Sequence, residues 1–388
     1  MSENTEMENK SAFDGLHNYV DRIIKQMEYS KNIKDTSPLF PQHVHIEPTN
    51  ACNLQCIHCH HHPDYPENPN TFTRKRGIMK MELYKKVINE IAPLKCSITL
   101  DVQGEPTLHP KFMEMVRYAK ERNVYTSVLS NGTKLTEKMS MELIELGLDR
   151  MVFSFDSVKK EIYEKIRIKS KFDPTFKNVL TFIKLNHEAG HKTHVCMSMV
   201  YQKRNKGMAQ EYEDFFAKLP VDKVFCNPLL NLAGVSGISD EIELSDVQKG
   251  PKENWPICRI PWEDLTVNWD GLITPCPVDV NVSGPVGDAN EDSLQEIWNN
   301  ENMRSFRRAH IEKDYTLIKK DGPLCESCNC LFYPEYDLRD FGEYATNAIC
   351  RSAMHYAPKL INKSKTSSDE KFVNLQKLLS GEIQIADL

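Results

Sequence analysis

Apolar and polar positions along the chain change period several times, and those changes divide it into elements. Phe13, Leu16, Val20, Ile23, Ile24 and Met27 recur at helical spacing, predicting an amphipathic helix over 13–29 that packs on the main domain. His43 to Glu47 then alternates as a short strand does. Beyond it the pattern predicts helix 80–92, strand 96–102, helix 110–122, strand 124–129, helix 136–146 and strand 150–155. It resumes with helix 174–189, strand 193–200, helix 208–218 and strand 222–226. Six β/α units of this kind predict an α/β fold, with a parallel sheet and crossover helices on its outer face. They are too few to close an eight-stranded barrel.

The second half is patterned differently. Residues 231–254 are rich in Gly, Ser and acidic side chains and lack a period, which reads as a linker. Leu265 to Trp269 and Leu272 to Cys276 flank Asp270-Gly271, a strong hairpin signal. Leu294, Ile297, Trp298, Met303 and Phe306 fit one helical stretch over 293–309. Residues 361–388, polar and lysine-rich before a short helical run, read as a mobile tail. The expected plan is an N-terminal helical extension (1–40), a β/α domain (41–230), the linker (231–254), a small domain of hairpin plus helix (255–340), and a C-terminal helix and tail (341–388).

At 388 residues and 40% hydrophobic content, the chain can bury one large core and one small one. A net charge of −6 leaves no basic stripe for nucleic acid, and no apolar run approaches the roughly 20 residues that span a bilayer. Met1 to Lys10 lacks the apolar core of a signal peptide. Twelve cysteines without such a signal favour metal ligation and reduced thiols, so a cytoplasmic, oxygen-sensitive protein is expected.

The chemistry concentrates at Cys52, Cys56 and Cys59, spaced Cys-x3-Cys-x2-Cys directly after the first strand. Thiols this close are too crowded to pair with one another without strain, but they can wrap an iron-sulfur cluster. Zinc or coincidental thiols are the bland alternative. Three ligands on a four-iron cluster leave one iron open for a chelating cosubstrate. Short polar motifs recur at strand ends: Gln103-Gly104-Glu105-Pro106, Ser130-Asn131-Gly132 and Ser154-Phe155-Asp156. Each alone is an ordinary turn, but their recurrence points to a ligand at the carboxyl ends of parallel strands. His60-His61-His62 reads as a polar loop beside that site. Cys258, Cys276, Cys325 and Cys328 supply four further ligands, enough to close a second four-iron cluster or a zinc ribbon. Cys330 and Cys350 are spare thiols.

The triple-cysteine stretch resembles the signature of the radical S-adenosylmethionine (radical SAM) enzymes, and Cys258, Gly271, Cys276, Cys325 and Cys328 resemble their SPASM/twitch extension. The resemblance implies a partial (β/α)6 barrel with a small C-terminal iron-sulfur domain, one auxiliary 4Fe-4S cluster, and a 5'-deoxyadenosyl radical that abstracts substrate hydrogen. His58 takes the place of an aromatic residue before the third cysteine. Gly104, Glu105 and Pro106 match an element that holds the methionine amino group, with Gln103 replacing its first glycine. Ser130, Asn131, Ser154 and Asp156 fall where carboxylate and ribose are contacted, and Arg167 is expected to pair with that carboxylate in bidentate fashion. Similarity to twitch-type aminocyclitol dehydrogenases implies oxidation of a hydroxyl on a sugar- or aminocyclitol-like molecule, with an electron donor such as flavodoxin or ferredoxin. Epimerisation, with Cys226 or Cys196 returning hydrogen, is one alternative. Modification of a ribosomal peptide is another, and an electron-transfer protein is the non-enzymatic one.

Overall fold

A computed structural model describes residues 33–37, 39–59, 73–230, 251–318, 324–328 and 366–387. Helix 13–29, His60 to His62, most of the linker, Cys330 and Cys350 lie outside those residues. Strands β1 (His43–Ile46), β2 (Ser97–Leu100), β3 (Thr126–Ser130), β4 (Arg150–Ser154), β5 (His194–Tyr201) and β6 (Lys223–Pro228) pair in parallel in chain order. Between them run α1 (Met81–Ile91), α2 (Phe112–Lys120), α3 (Glu137–Glu145), α4 (Lys160–Ile166), α5 (Phe172–Glu188) and α6 (Ala209–Ala217). The six expected units are all present.

Two-residue periodicity gives the sheet two unlike faces. Val44, Ile46, Ile98, Leu100, Val128 and Met151 are fully buried in the main core with the helices. The alternate positions carry His43, His45, Ser97, Thr99 and Arg150, so the opposite face of the sheet is polar. Below the last units, Phe155 stacks on Tyr163 with ring centres 4.4 Å apart and contacts Phe172 and Phe176 of α5.

The small domain is not separate in its backbone pairing. A short helix, α7 (Ile260–Glu263), leads into β7 (Asp264–Val267), which pairs in parallel with β1, His45 opposite Thr266. The expected hairpin to β8 (Leu272–Thr274) forms, and β9 (Gly287–Asp288) completes one nine-stranded sheet.

Two expectations change. The stretch 293–309 is two helices, α8 (Leu294–Trp298) and α9 (Glu301–Glu312), because the Asn300 side chain accepts a hydrogen bond from Met303 N at 2.9 Å and starts a new helix. A four-residue helix α10 (Leu324–Ser327) follows. The tail also contains α11 (Thr366–Ser380), which docks on α5: Leu375 is fully buried and Phe372 stacks on His187 at 4.1 Å. Its apolar stripe, short as it is, finds a partner.

Candidate active site

The triple-cysteine loop leaves the carboxyl end of β1 and is fixed from several sides. Gln55 N donates to Ile168 O at 3.0 Å and Ile57 N to Ile166 O at 2.9 Å, binding the loop to the end of α4. Glu105 N donates to Ala51 O at 2.9 Å. Arg76, which sequence reading missed, donates to Asn50 O at 2.5 Å. Cys52 Sγ receives Leu54 N at 3.4 Å and Asn131 Nδ2 at 3.9 Å, while Arg167 Nη1 reaches Cys56 Sγ at 3.9 Å. Burial pushes the Cys56 thiol up, the Arg167 guanidinium draws it back down, and Cys59, Asp156 and Cys52 add to the rise.

Gly104 is required by close approach: a Cβ there would lie 2.1 Å from Thr49 O and 2.7 Å from Ala51 O. Glu105, by contrast, is turned inward. Its Oε1 accepts from Thr107 N, Thr107 Oγ1 and Ser130 Oγ, and its Oε2 accepts from Asn131 N at 2.7 Å. Burial raises its carboxyl against those four bonds. It therefore ties the ends of β2 and β3 together rather than presenting an acid to a ligand.

Asp156 and Arg167 also depart from expectation. Asp156 is fully buried, accepts Val200 N at 2.8 Å, and contacts Arg167 Nε at 2.8 Å in an ion pair whose N–H is not aligned for a hydrogen bond. Asp156 thus closes the β4 and β5 ends instead of facing a ribose. Arg167 has its Nε edge taken and its Nη1 aimed at Cys56, which leaves no free fork for a carboxylate. His58 Nδ1 lies 3.2 Å from Gln202 Nε2, and burial holds its imidazole down at about 4, so it is neutral. Ser154 is half-buried at the end of β4, and Pro106 is buried behind Glu105.

The second cysteine set forms around the β7–β8 hairpin. Cys258, Cys276 and Cys325 are each raised first by burial and then by neighbouring thiols of the same set, Cys328 included, with Cys258 pushed up to about 12. Trp255, Phe306, Tyr315 and Ile318 pack there, with Cys258 and Cys325 against them. Four thiols gathered beside an apolar box suit a group that binds them as thiolates, such as an iron-sulfur cluster. Cys52, Cys56 and Cys59, one ligand short of closure, fit a cluster with an open iron. No disulfide joins the described cysteines.

Strand parity separates the candidate hydrogen donors. Cys196 shares the polar face but is fully buried, accepting Arg150 Nε at 3.3 Å. Cys226 lies on the other face, its Sγ 4.0 Å from Ala209 O of α6, and so is withdrawn from the polar interior. That interior holds a group sequence reading missed: His45 Nδ1 contacts both oxygens of Asp101, at 3.1 and 3.0 Å. Its signal was present in the alternation His43-Val44-His45-Ile46, where histidine occupies every second position.

A profile of the Radical SAM superfamily matches residues 46–216, and one of the iron-sulfur cluster-binding SPASM domain matches 258–330. The tungsten-containing aldehyde ferredoxin oxidoreductase cofactor-modifying protein of Pyrococcus furiosus is 26% identical over 369 residues, 80% of this chain and 94% of that protein. Fe-coproporphyrin III synthase of Methanosarcina barkeri is 29% identical over 34% of this chain, and only 31% of that protein is spanned. Among solved structures, BtrN in complex with AdoMet and 2-DOIA aligns with a TM-score of 0.50 at 20% identity, over 76% of this chain and 94% of that one. Streptococcus suis SuiB bound to precursor peptide SuiA aligns with a TM-score of 0.58 at 15% identity, over 80% and 73%. These structural likenesses concern the fold. Among the described residues no helix is long and apolar enough to cross a membrane.

Proposed function

We propose that this chain, which belongs to the radical SAM superfamily and carries a SPASM iron-sulfur domain, oxidises a hydroxyl-bearing carbon of a sugar- or aminocyclitol-like small molecule. As a radical SAM enzyme it uses S-adenosylmethionine and 4Fe-4S clusters, which supply a 5'-deoxyadenosyl radical and a one-electron acceptor. In this reading Cys52, Cys56 and Cys59 hold the cluster that meets the cosubstrate, and Cys258, Cys276, Cys325 and Cys328 hold the acceptor. Asn131 and the neutral His58 line the cysteine loop, while Glu105, Asp156 and Arg167 keep the strand ends rigid behind it. A reduced flavodoxin or ferredoxin is the proposed electron donor.

The observation that carries the substrate class is the polar inner face of the barrel. His43, Ser97 and Thr99 bond one another there and Arg150 bonds Cys196, which leaves the partly exposed His45 and Asp101 as the polar groups that suit a hydroxyl-bearing ligand, not an apolar one. Peptide modification is the second reading, favoured by relatives named PqqA peptide cyclase and mycofactocin maturase, each matched over 32–43% of this chain. Of the two candidate hydrogen donors, epimerisation is better served by Cys196, since Cys226 faces the helices.

The test is to incubate reduced, cluster-loaded protein with S-adenosylmethionine and a panel of C-deuterated aminocyclitols and hexoses. Deuterium should appear in 5'-deoxyadenosine with one carbonyl product formed per cleavage. Cleavage without a carbonyl on any polyol, with label transferred from a peptide instead, would select the second reading.

A further inference from the structure

The inner face of the sheet holds titratable groups that neither cysteine set uses. His43 and His45 project from β1 to the same side, their rings edge to face with centres 4.7 Å apart. His45 Nδ1 is held by both Asp101 oxygens, and Asp101 immediately follows β2, three residues before Gly104. The His45 side chain keeps 18% of its surface exposed and Asp101 13%, so neither is fully sealed in the core. No protein atom among the described residues hydrogen-bonds His45 Nε2.

The neighbouring imidazole is locked differently. Ser97 Oγ donates to Gln42 O at 3.1 Å, so at 2.7 Å from His43 Nδ1 it must accept. His43 therefore carries its proton on Nδ1, and its Nε2 accepts from Thr99 Oγ1 at 2.9 Å. Burial and then the charges of His45 and Arg150 hold His43 well below its ordinary value, so it stays neutral. One imidazole is a fixed spacer. The other is oriented by a carboxylate and leaves its Nε2 without a hydrogen-bond partner among the described residues, the arrangement of a general base with its orienting acid once the imidazole has lost its proton.

We infer that His45, oriented by Asp101, is the group that takes the substrate hydroxyl proton at the carbon being oxidised. The inference rests on the dehydrogenase reading above. The steps balance: the C–H hydrogen leaves as an atom to the 5'-deoxyadenosyl radical, giving 5'-deoxyadenosine. The O–H proton passes to His45 Nε2, the remaining electron goes to the auxiliary 4Fe-4S cluster, and the substrate is left as a carbonyl. The charged and titratable groups acting on His45 are Asp101 just beyond β2, Asp264 from β7 and His43 from its own strand, with Arg150 of β4 acting on His43. Burial alone would lower His45, but the charge and hydrogen bond of Asp101, with Asp264 behind them, outweigh it and raise the imidazole to about 9. The base form thus grows in as pH rises through that value.

Two measurements test this. Hydrogen–deuterium exchange at histidine C2, read by mass spectrometry on the cluster-loaded protein across pH, reports each imidazole without any substrate. His45 should titrate near 9, and in Asp101→Asn its midpoint should fall by at least one pH unit. A midpoint near 6.5 in the native protein, or one that Asp101→Asn leaves in place, overturns the dyad. The second measurement is the ratio of carbonyl product to 5'-deoxyadenosine on the aminocyclitol and hexose panel. His45→Gln should lower that ratio about tenfold or more while cleavage changes by less than about twofold, and an unchanged ratio overturns the role. If the native enzyme oxidises none of the panel but transfers label from a peptide, it is the dehydrogenase reading that fails, and the proton-acceptor role fails with it, whatever the exchange midpoint.

Discussion

Gln103 donates from Nε2 to Pro277 O at 3.0 Å, so the strand end that carries Gly104 and Glu105 is tied to the residue after Cys276. The resembling element has glycine at this position, which could make no such bond. Gln103→Ala should cost about 1 kcal/mol of stability. It should also speed amide exchange over 277–284, and exchange there that matches the native protein would show that the bond restrains nothing.

Gly104→Ala should be far more damaging. The added methyl would meet backbone oxygens of Thr49 and Ala51, which cannot swing away as a side chain would. Either the cysteine loop shifts or the Glu105 N to Ala51 O bond breaks, at a cost of a few kcal/mol. Iron analysis should show the first cluster depleted and the second retained. Full loading of both would mean that the loop tolerates the displacement.

Cys56→Ala removes one of three ligands from the first set and none from the second. Iron should fall from about eight to about four atoms per chain on four-iron stoichiometry. S-adenosylmethionine cleavage should disappear. An unchanged iron count would contradict two separate cluster sites.

Replacing Cys276 and Cys328 together should block formation of oxidised product but leave 5'-deoxyadenosine formation partly intact, since cleavage needs only the first set. Circular dichroism must accompany the assay, because metal ligation in a small lobe contributes to its folding. A folded variant that still oxidises substrate at the native rate would end the acceptor role.

The raised His45 imidazole also bears on stability. A group that is more basic in the folded state than in the unfolded chain contributes fully below the unfolded value of about 6.5 and loses that contribution as pH rises through about 9. Unfolding free energy should therefore decline between those limits, by on the order of 3 kcal/mol at most. Asp101→Asn should flatten the slope over that window. Equal slopes for the two proteins in denaturant titrations would refute the assignment.

Much of the architecture was legible in the chain. Apolar residues on one face of a strand and helical stripes between strands are local patterns, so all six β/α units were readable. The helix break at Asn300 was missed although the apolar spacing skips 299–302, because the periods on either side of that gap are both helical and a capping asparagine is all that marks the new start. Roles were harder to read than positions. Asp156 and Arg167 stand where ligand contacts were expected, yet they neutralise each other, and a pairing across eleven residues of turn and helix leaves no mark on periodicity. Glu105 likewise spends its oxygens on neighbours. Cys226 and Cys196 were not separable as hydrogen donors, because a strand's alternation says which residues share a face without saying which face is inner. β7 escaped assignment to the main sheet because nothing in its residues names β1 as its neighbour.

The parallel pairing of β7 with β1 places side by side the strand that leads to Cys52 and the strand that leads to the Cys276 hairpin, at the roughly 5 Å spacing of adjacent strands. A redox partner held on a hinged lobe must wait for that lobe to dock, and its electron transfer slows in viscous solvent. Here the strands that lead to the two cysteine sets are joined by a backbone ladder, so neither set has to wait for a lobe to dock. Under the oxidation proposed above, electron removal is expected to be a first-order property of the folded chain, with a rate that does not depend on solvent viscosity.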